Sequence, residues 1–75
     1  MTTFFYVEAD ANYQDNLTLD VFRFIVESDS KNNAGIKVII YLNQHNFNHV
    51  DILCCRIATE DDIYRYRQQH AILAH

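Results

Sequence analysis

Proline and tryptophan are missing from this chain of 75 residues, and glycine occurs once. The lack of proline excludes a collagen-like chain and a proline-rich linker. A single glycine excludes the dinucleotide fingerprint and the P-loop, each of which needs several glycines at fixed spacing. Cysteine occurs twice, at the adjacent positions Cys54 and Cys55. Neighbouring side chains on a strand point to opposite faces, and a bond between them would distort the backbone. A disulfide scaffold is therefore excluded, and two free thiols predict a reducing, cytoplasmic compartment. No apolar run approaches the ~20 residues of a membrane span; the longest is Val38 to Leu42. The opening Met1-Thr-Thr-Phe-Phe-Tyr-Val-Glu8 has no basic region ahead of its apolar residues, so no signal peptide is expected. Bases are scarce, six against ten acids, for a net charge of −4.

What is present is globular. Hydrophobic residues make up 49% and charged residues 21%, which fits one folded domain over residues 1–75. A chain this short buries only about 60% of its unfolded surface, so its stability is marginal. The charge is uneven. Residues 1–30 hold Glu8, Asp10, Asp15, Asp20, Glu27 and Asp29 against Arg23 alone, while the rest of the chain is close to neutral. An acidic half disfavours a phosphate backbone and suits a basic partner surface.

The pattern predicts β-α-β-β-α. Phe4 to Ala9 reads as a strand, followed by a polar loop over 10–16. Leu17 to Ser28 is composed like a strand but spaced like a helix. Val21, Phe22, Phe24, Ile25 and Val26 are β-formers, yet Asp20, Arg23 and Glu27 share one helical stripe, and a helix is predicted. Ile36 to Leu42 and Val50 to Ala58 read as strands joined by a polar hairpin loop over 43–49. Thr59 is a good N-cap for a last helix, with Glu60, Asp61 and Asp62 in its first turn, an Asp61–Arg65 pair, and Ile63, Tyr66, His70, Leu73 and Ala74 on one side.

The expected fold is an α+β domain with both helices on one face of the sheet. The competing reading is a four-stranded antiparallel meander with one C-terminal helix. In the first reading Phe5 and Val7 point inward with Ile36, Val38, Ile40 and Leu42. The opposite face then exposes Phe4, Tyr6, Ile39 and Tyr41, an apolar patch of the kind that marks an interface. The helix over 17–28 is also apolar around more than half its circumference. A homodimer or a protein partner is expected to cover the excess.

No constellation identifies a reaction. His45 and His49 fall in a polar loop with no third ligand at metal spacing. Mid-strand cysteines are ordinarily inert. Arg65 and Arg67 do not form one helical stripe, and the net charge opposes nucleic acid. In length, acidity and lack of a catalytic motif the chain resembles the small inhibitor and adaptor proteins that phages and mobile elements encode. That resemblance implies a non-enzymatic protein that regulates or inhibits a partner, such as a nucleic-acid-binding protein whose basic surface the carboxylates would occupy. The expected contact residues are Glu8, Asp10, Tyr13 and Asp15, with Tyr6 and Tyr41 as aromatic anchors. No cofactor, metal, nucleic acid or membrane is expected as a ligand. The alternative is a metal-dependent phosphodiesterase using Asp10 and Asp51, since two-ion chemistry needs convergent carboxylates.

Overall fold

A computed structural model describes residues 2–14 and 17–66. It is a small α+β domain in the order β1 (Thr3–Tyr13), β2 (Leu19–Ser28), α1 (Lys31–Gln44), β3 (Phe47–Ile57) and α2 (Glu60–Tyr66). The sheet has three strands in the order β2-β1-β3, and both pairings are antiparallel. β2 and β3 therefore run parallel to each other on either side of β1, with α1 as the connection between them.

Four expectations are corrected. First, the segment predicted as a helix over 17–28 is a strand, β2, from Leu19 to Ser28. Phe22, Phe24 and Val26 alternate onto the main core and lie opposite Ala9, Val7 and Phe5. β-Branched and aromatic residues fit this pleated surface, and that preference outweighs the i, i+3, i+7 spacing of three charged residues. Second, Ile36–Leu42 is helical, inside α1. The Ser30 side chain caps α1 by accepting from the Asn33 amide at 3.1 Å, and Asp29 holds the Asn33 side chain at 2.7 Å. Ala34, Val38 and Leu42, four apart, are fully buried, whereas Ile36 and Ile40 of the supposed inward row are about half exposed. The order is thus β-β-α-β-α. The four-stranded meander is overturned as well: Leu19–Ser28 is a strand, as it required, but the sheet of the described residues has three strands and not four.

Third, the loops are shorter than expected. β1 continues through Asp10 to Tyr13, with Ala9 and Ala11 buried on the alternation. The stretch 43–49 is divided between the end of α1, a turn at His45 and Asn46, and the start of β3. Asn46 takes φ 69 in that turn, and His49 takes φ 55 where β3 departs from regular register with β1. A second irregularity inserts Leu53 between the partners of Glu8 and Ala9.

Fourth, the helices lie on opposite faces. α1 covers Phe5, Val7, Ala9 and Ala11 together with Phe24 and Val26. α2 covers the face carrying Tyr6 and Ile25, where the Tyr66 ring lies 5.2 Å from that of Tyr6. Its start is as the sequence indicates. The Thr59 hydroxyl accepts from the Asp62 amide while the Asp62 carboxylate accepts from the Thr59 amide, a reciprocal cap. Arg65 pairs with Asp61 at 3.2 Å. His70, Leu73, Ala74 and Arg67 lie outside the described residues.

Candidate functional site

Facing residues of an antiparallel ladder share a face, so the register gives the composition of the side opposite α1. β1 contributes Phe4, Tyr6, Glu8, Asp10 and Asn12, and β2 contributes Glu27, Ile25, Arg23, Val21 and Leu19. β3 contributes Arg56, Cys54 and Asp51 opposite Tyr6, Glu8 and Asp10. Over the described residues, α2 covers one end of this face. There the Arg56 guanidinium lies 4.4 Å from the centre of the Tyr6 ring and donates to Asp62 through its two terminal nitrogens. The Arg56 hydrogen bonds keep the Asp62 carboxyl at about 2, well below its ordinary range, against the opposing effect of burial. Burial, and then the neighbouring Glu8 carboxylate, push the Tyr6 phenol up to about 12. The Tyr6 hydroxyl donates to Glu8 at 2.7 Å, and Arg23 approaches the same carboxylate at 3.8 Å.

Beyond Glu8 no helix covers this face among the described residues, and Leu19 and Val21 are 53% and 48% exposed. Asp10 faces Val21 on one side and Asp51 on the other. One oxygen of Asp10, Oδ1, is buried yet has no hydrogen-bond partner among the described residues. A buried acceptor without a donor is costly and rare in native structures. Here it belongs to a carboxylate that directly faces a second one, beside exposed aliphatic side chains.

The expected contact residues separate. Glu8 and Asp10 fall on this open face. Tyr6 shares the face but is buried beneath α2. Tyr13 and Tyr41 are on the α1 side. The Tyr13 ring meets Phe47 at 5.1 Å, Phe47 meets Phe22 at 4.8 Å, and Tyr41 on α1 lies between Phe24 at 5.6 Å and His45 at 4.2 Å. The anticipated patch of Phe4, Tyr6, Ile39 and Tyr41 is not formed, because Ile39 and Tyr41 belong to a helix on the other side of the sheet. Asp15 lies outside the described residues. Leu19 and Val21 were missed; the alternation of Leu19, Val21, Arg23, Ile25 and Glu27 would have revealed them once the segment was read at period two.

The two thiols part as expected. Cys54 faces Glu8 on the open side, and Cys55 faces Val7 on the α1 side, where its thiol donates to the Lys31 carbonyl at 3.5 Å and burial pushes it up. Among the described residues no group of three or more His, Cys, Asp or Glu could hold a metal ion, and no helix is long and apolar enough to cross a membrane. Comparison with family models, with curated proteins and with solved structures finds no match.

Proposed function

We propose that this chain is a small acidic binding protein without enzymatic activity, which regulates or inhibits a cytoplasmic protein partner through a basic surface of that partner. The observation that carries the reading is a pair of facing carboxylates, Asp10 and the exposed Asp51, on the part of the sheet that α2 leaves uncovered among the described residues. A guanidinium or ammonium from a partner would pair with them, and charge-assisted hydrogen bonds of this kind are the strong ones. Leu19 and Val21 beside it offer apolar area for the centre of a contact, with Glu8 at the border toward α2. Tyr6 contributes indirectly by holding the Glu8 carboxylate in place. A nucleic-acid-binding protein is a natural target class, because carboxylates spaced along a strand compete with phosphates for its basic groups.

The test is capture from host lysate with the wild-type chain and with Asp10→Lys plus Asp51→Lys. A specific partner should be retained by the first, lost by the second, and released from the first as salt rises. A partner retained equally by both would sink this assignment of the face.

The facing position of Asp10 and Asp51 also supports a second reading, a metal-dependent phosphodiesterase built on that pair. It requires Mg²⁺ or Mn²⁺ to raise the melting temperature of the wild-type chain but not of Asp10→Asn. No thermal shift with either ion would dispose of it.

A further inference from the structure

β2 is an outer strand of the sheet, and its free edge can be read atom by atom. The Ala58 amide donates to the Phe4 carbonyl at 2.9 Å, and the Gln14 amide donates to Asn46 at 2.8 Å, so even-numbered residues of β1 direct their backbone groups toward β3. The odd-numbered ones then bond β2, through its even-numbered residues. Leu19, Val21, Arg23, Ile25 and Glu27 therefore turn their N–H and C=O groups outward, where β2 has no further strand among the described residues. Unlike β3, β2 keeps unbroken register with β1 along its whole length, without a bulge. Such an edge is a template for strand addition unless it is blunted. The protection visible here is local: the Lys37 ammonium donates to the outward carbonyl of Glu27 at 2.8 Å.

We propose that a second copy of this chain adds to the β2 edge, antiparallel, with the two-fold axis at Ile25. The dimer lies beyond the partner-binding reading above and does not depend on it. Charge selects both the occupant and the register. A two-fold axis normal to the sheet keeps each face on its own side, so residues on one face oppose residues on the same face. Centring on Ile25 puts Arg23 opposite Glu27 of the second copy and Glu27 opposite its Arg23, both on the α2 side of the sheet. Centring on Arg23 sets two guanidinium groups against each other, and centring on Phe24 sets Arg23 against Ile25 and Val21 against Glu27. Only the Ile25 register makes the strand complementary to itself in charge. In that register Arg23, Ile25 and Glu27 all oppose residues whose backbone groups also point outward, so the facing pairs exchange both hydrogen bonds. In the monomer the Arg23 side chain, 42% exposed, approaches Glu8 at 3.8 Å and also interacts with Tyr6, while Glu27 accepts from the Thr2 hydroxyl at 2.9 Å; a guanidinium with five donors and a carboxylate with two oxygens keep capacity for a further partner. The product is one continuous six-stranded sheet, with α1 helices on one face and α2 helices on the other.

The experiment is sedimentation equilibrium over a wide concentration range, together with amide hydrogen exchange. The wild-type chain should approach twice its 8.9 kDa mass. The outward amides of Arg23, Ile25 and Glu27 should gain protection in step with that mass, while the inward amides of Phe24 and Val26 stay protected throughout. Glu27→Arg and Arg23→Glu should each weaken self-association by roughly tenfold, since like charges then oppose twice. Mixing these two variants should restore a dimer, because each presents the charges that the other lacks. Lys37→Met should strengthen the wild-type dimer by uncapping the Glu27 carbonyl. Circular dichroism checks the fold of each variant. Arg23→Glu places a second carboxylate against Glu8, and if it does not fold, Glu27→Arg, Lys37→Met and the wild-type exchange pattern decide. A monomer at every concentration overturns the proposal. So does a dimer whose outward β2 amides exchange at a rate independent of concentration, or one indifferent to Glu27→Arg.

Discussion

Asp62 shows how one side chain can fasten a helix to the sheet. α2 opens with Glu60, Asp61 and Asp62 in its first turn, where the helix dipole favours them. Asp62 closes the reciprocal cap with Thr59 and accepts from the two terminal guanidinium nitrogens of Arg56, which in turn lies over the Tyr6 ring. Cap, ion pair and aromatic contact thus meet at one buried carboxylate. Its pKa is depressed to about 2 from 3.8, so its stabilising contribution is complete above about 3.8 and is lost as pH falls toward 2. Arg56 is half exposed, and solvent screening holds that contribution to on the order of 1–2 kcal/mol. Urea unfolding of wild type and Asp62→Asn should differ by about that amount at neutral pH and converge below pH 3. A gap that stays constant across that range would mean the ionised carboxylate is not what secures the helix.

At the scale of elements, the two segments misassigned from sequence fail in opposite directions. In 17–28 the helical spacing of three charged residues misleads and the β-rich composition is right; in 36–42 the β-rich composition misleads, because in a small domain a buried strand and a helix covering the sheet need similar apolar content. What separates them is the period of the buried apolar residues, not that of the charged ones. Ala34, Val38 and Leu42 recur at four and are buried, while Phe22, Phe24 and Val26 recur at two. The decisive cue for α1 lies before the apolar run, in the Ser30 cap with Asp29 behind it. By contrast Thr59 followed by three acids was legible at once, because cap chemistry and helix dipole act locally. The open face was half legible for the same reason. Glu8 and Asp10 stand out as carboxylates in any secondary structure, whereas Leu19 and Val21 become surface residues only once the strand period is known. The helical assignment makes a sharp contrast testable. Leu42→Ala should cost about 2–5 kcal/mol, as a large-to-small change in a full core, while Ile40→Gln, two residues away, should stay within about 0.5 kcal/mol. Were residues 36–42 a strand with Ile40 and Leu42 pointing inward together, thermal melts of the two variants would show comparable losses.

For the whole molecule, the consequence of small size is that surface has to do several jobs at once. Apolar area remains on α1 at Ile36 and Ile40 and on the sheet at Leu19 and Val21, and β2 is an outer strand among the described residues. A domain of this size gains stability by sharing such surface with a second copy, and mass action then ties its melting temperature to its concentration. The two proposed contacts occupy different stretches of the same strand: the dimer is centred on Ile25, and the partner face is centred on Val21 and Asp10. They can coexist, and a dimer would present two acidic faces on one side of a continuous sheet, which raises avidity for a partner with repeated basic sites. The two functions should therefore separate by mutation. Asp10→Lys with Asp51→Lys should abolish partner capture and leave the dimer mass and the concentration dependence of melting unchanged. Glu27→Arg should do the reverse at the level of a single chain, keeping capture while making the melting temperature independent of protein concentration. Scanning calorimetry across a hundredfold concentration range, run beside capture on the same preparations, checks both. If Glu27→Arg alone abolished capture with the fold intact, the partner would be reading the dimer, and Asp10 and Asp51 would not suffice for binding.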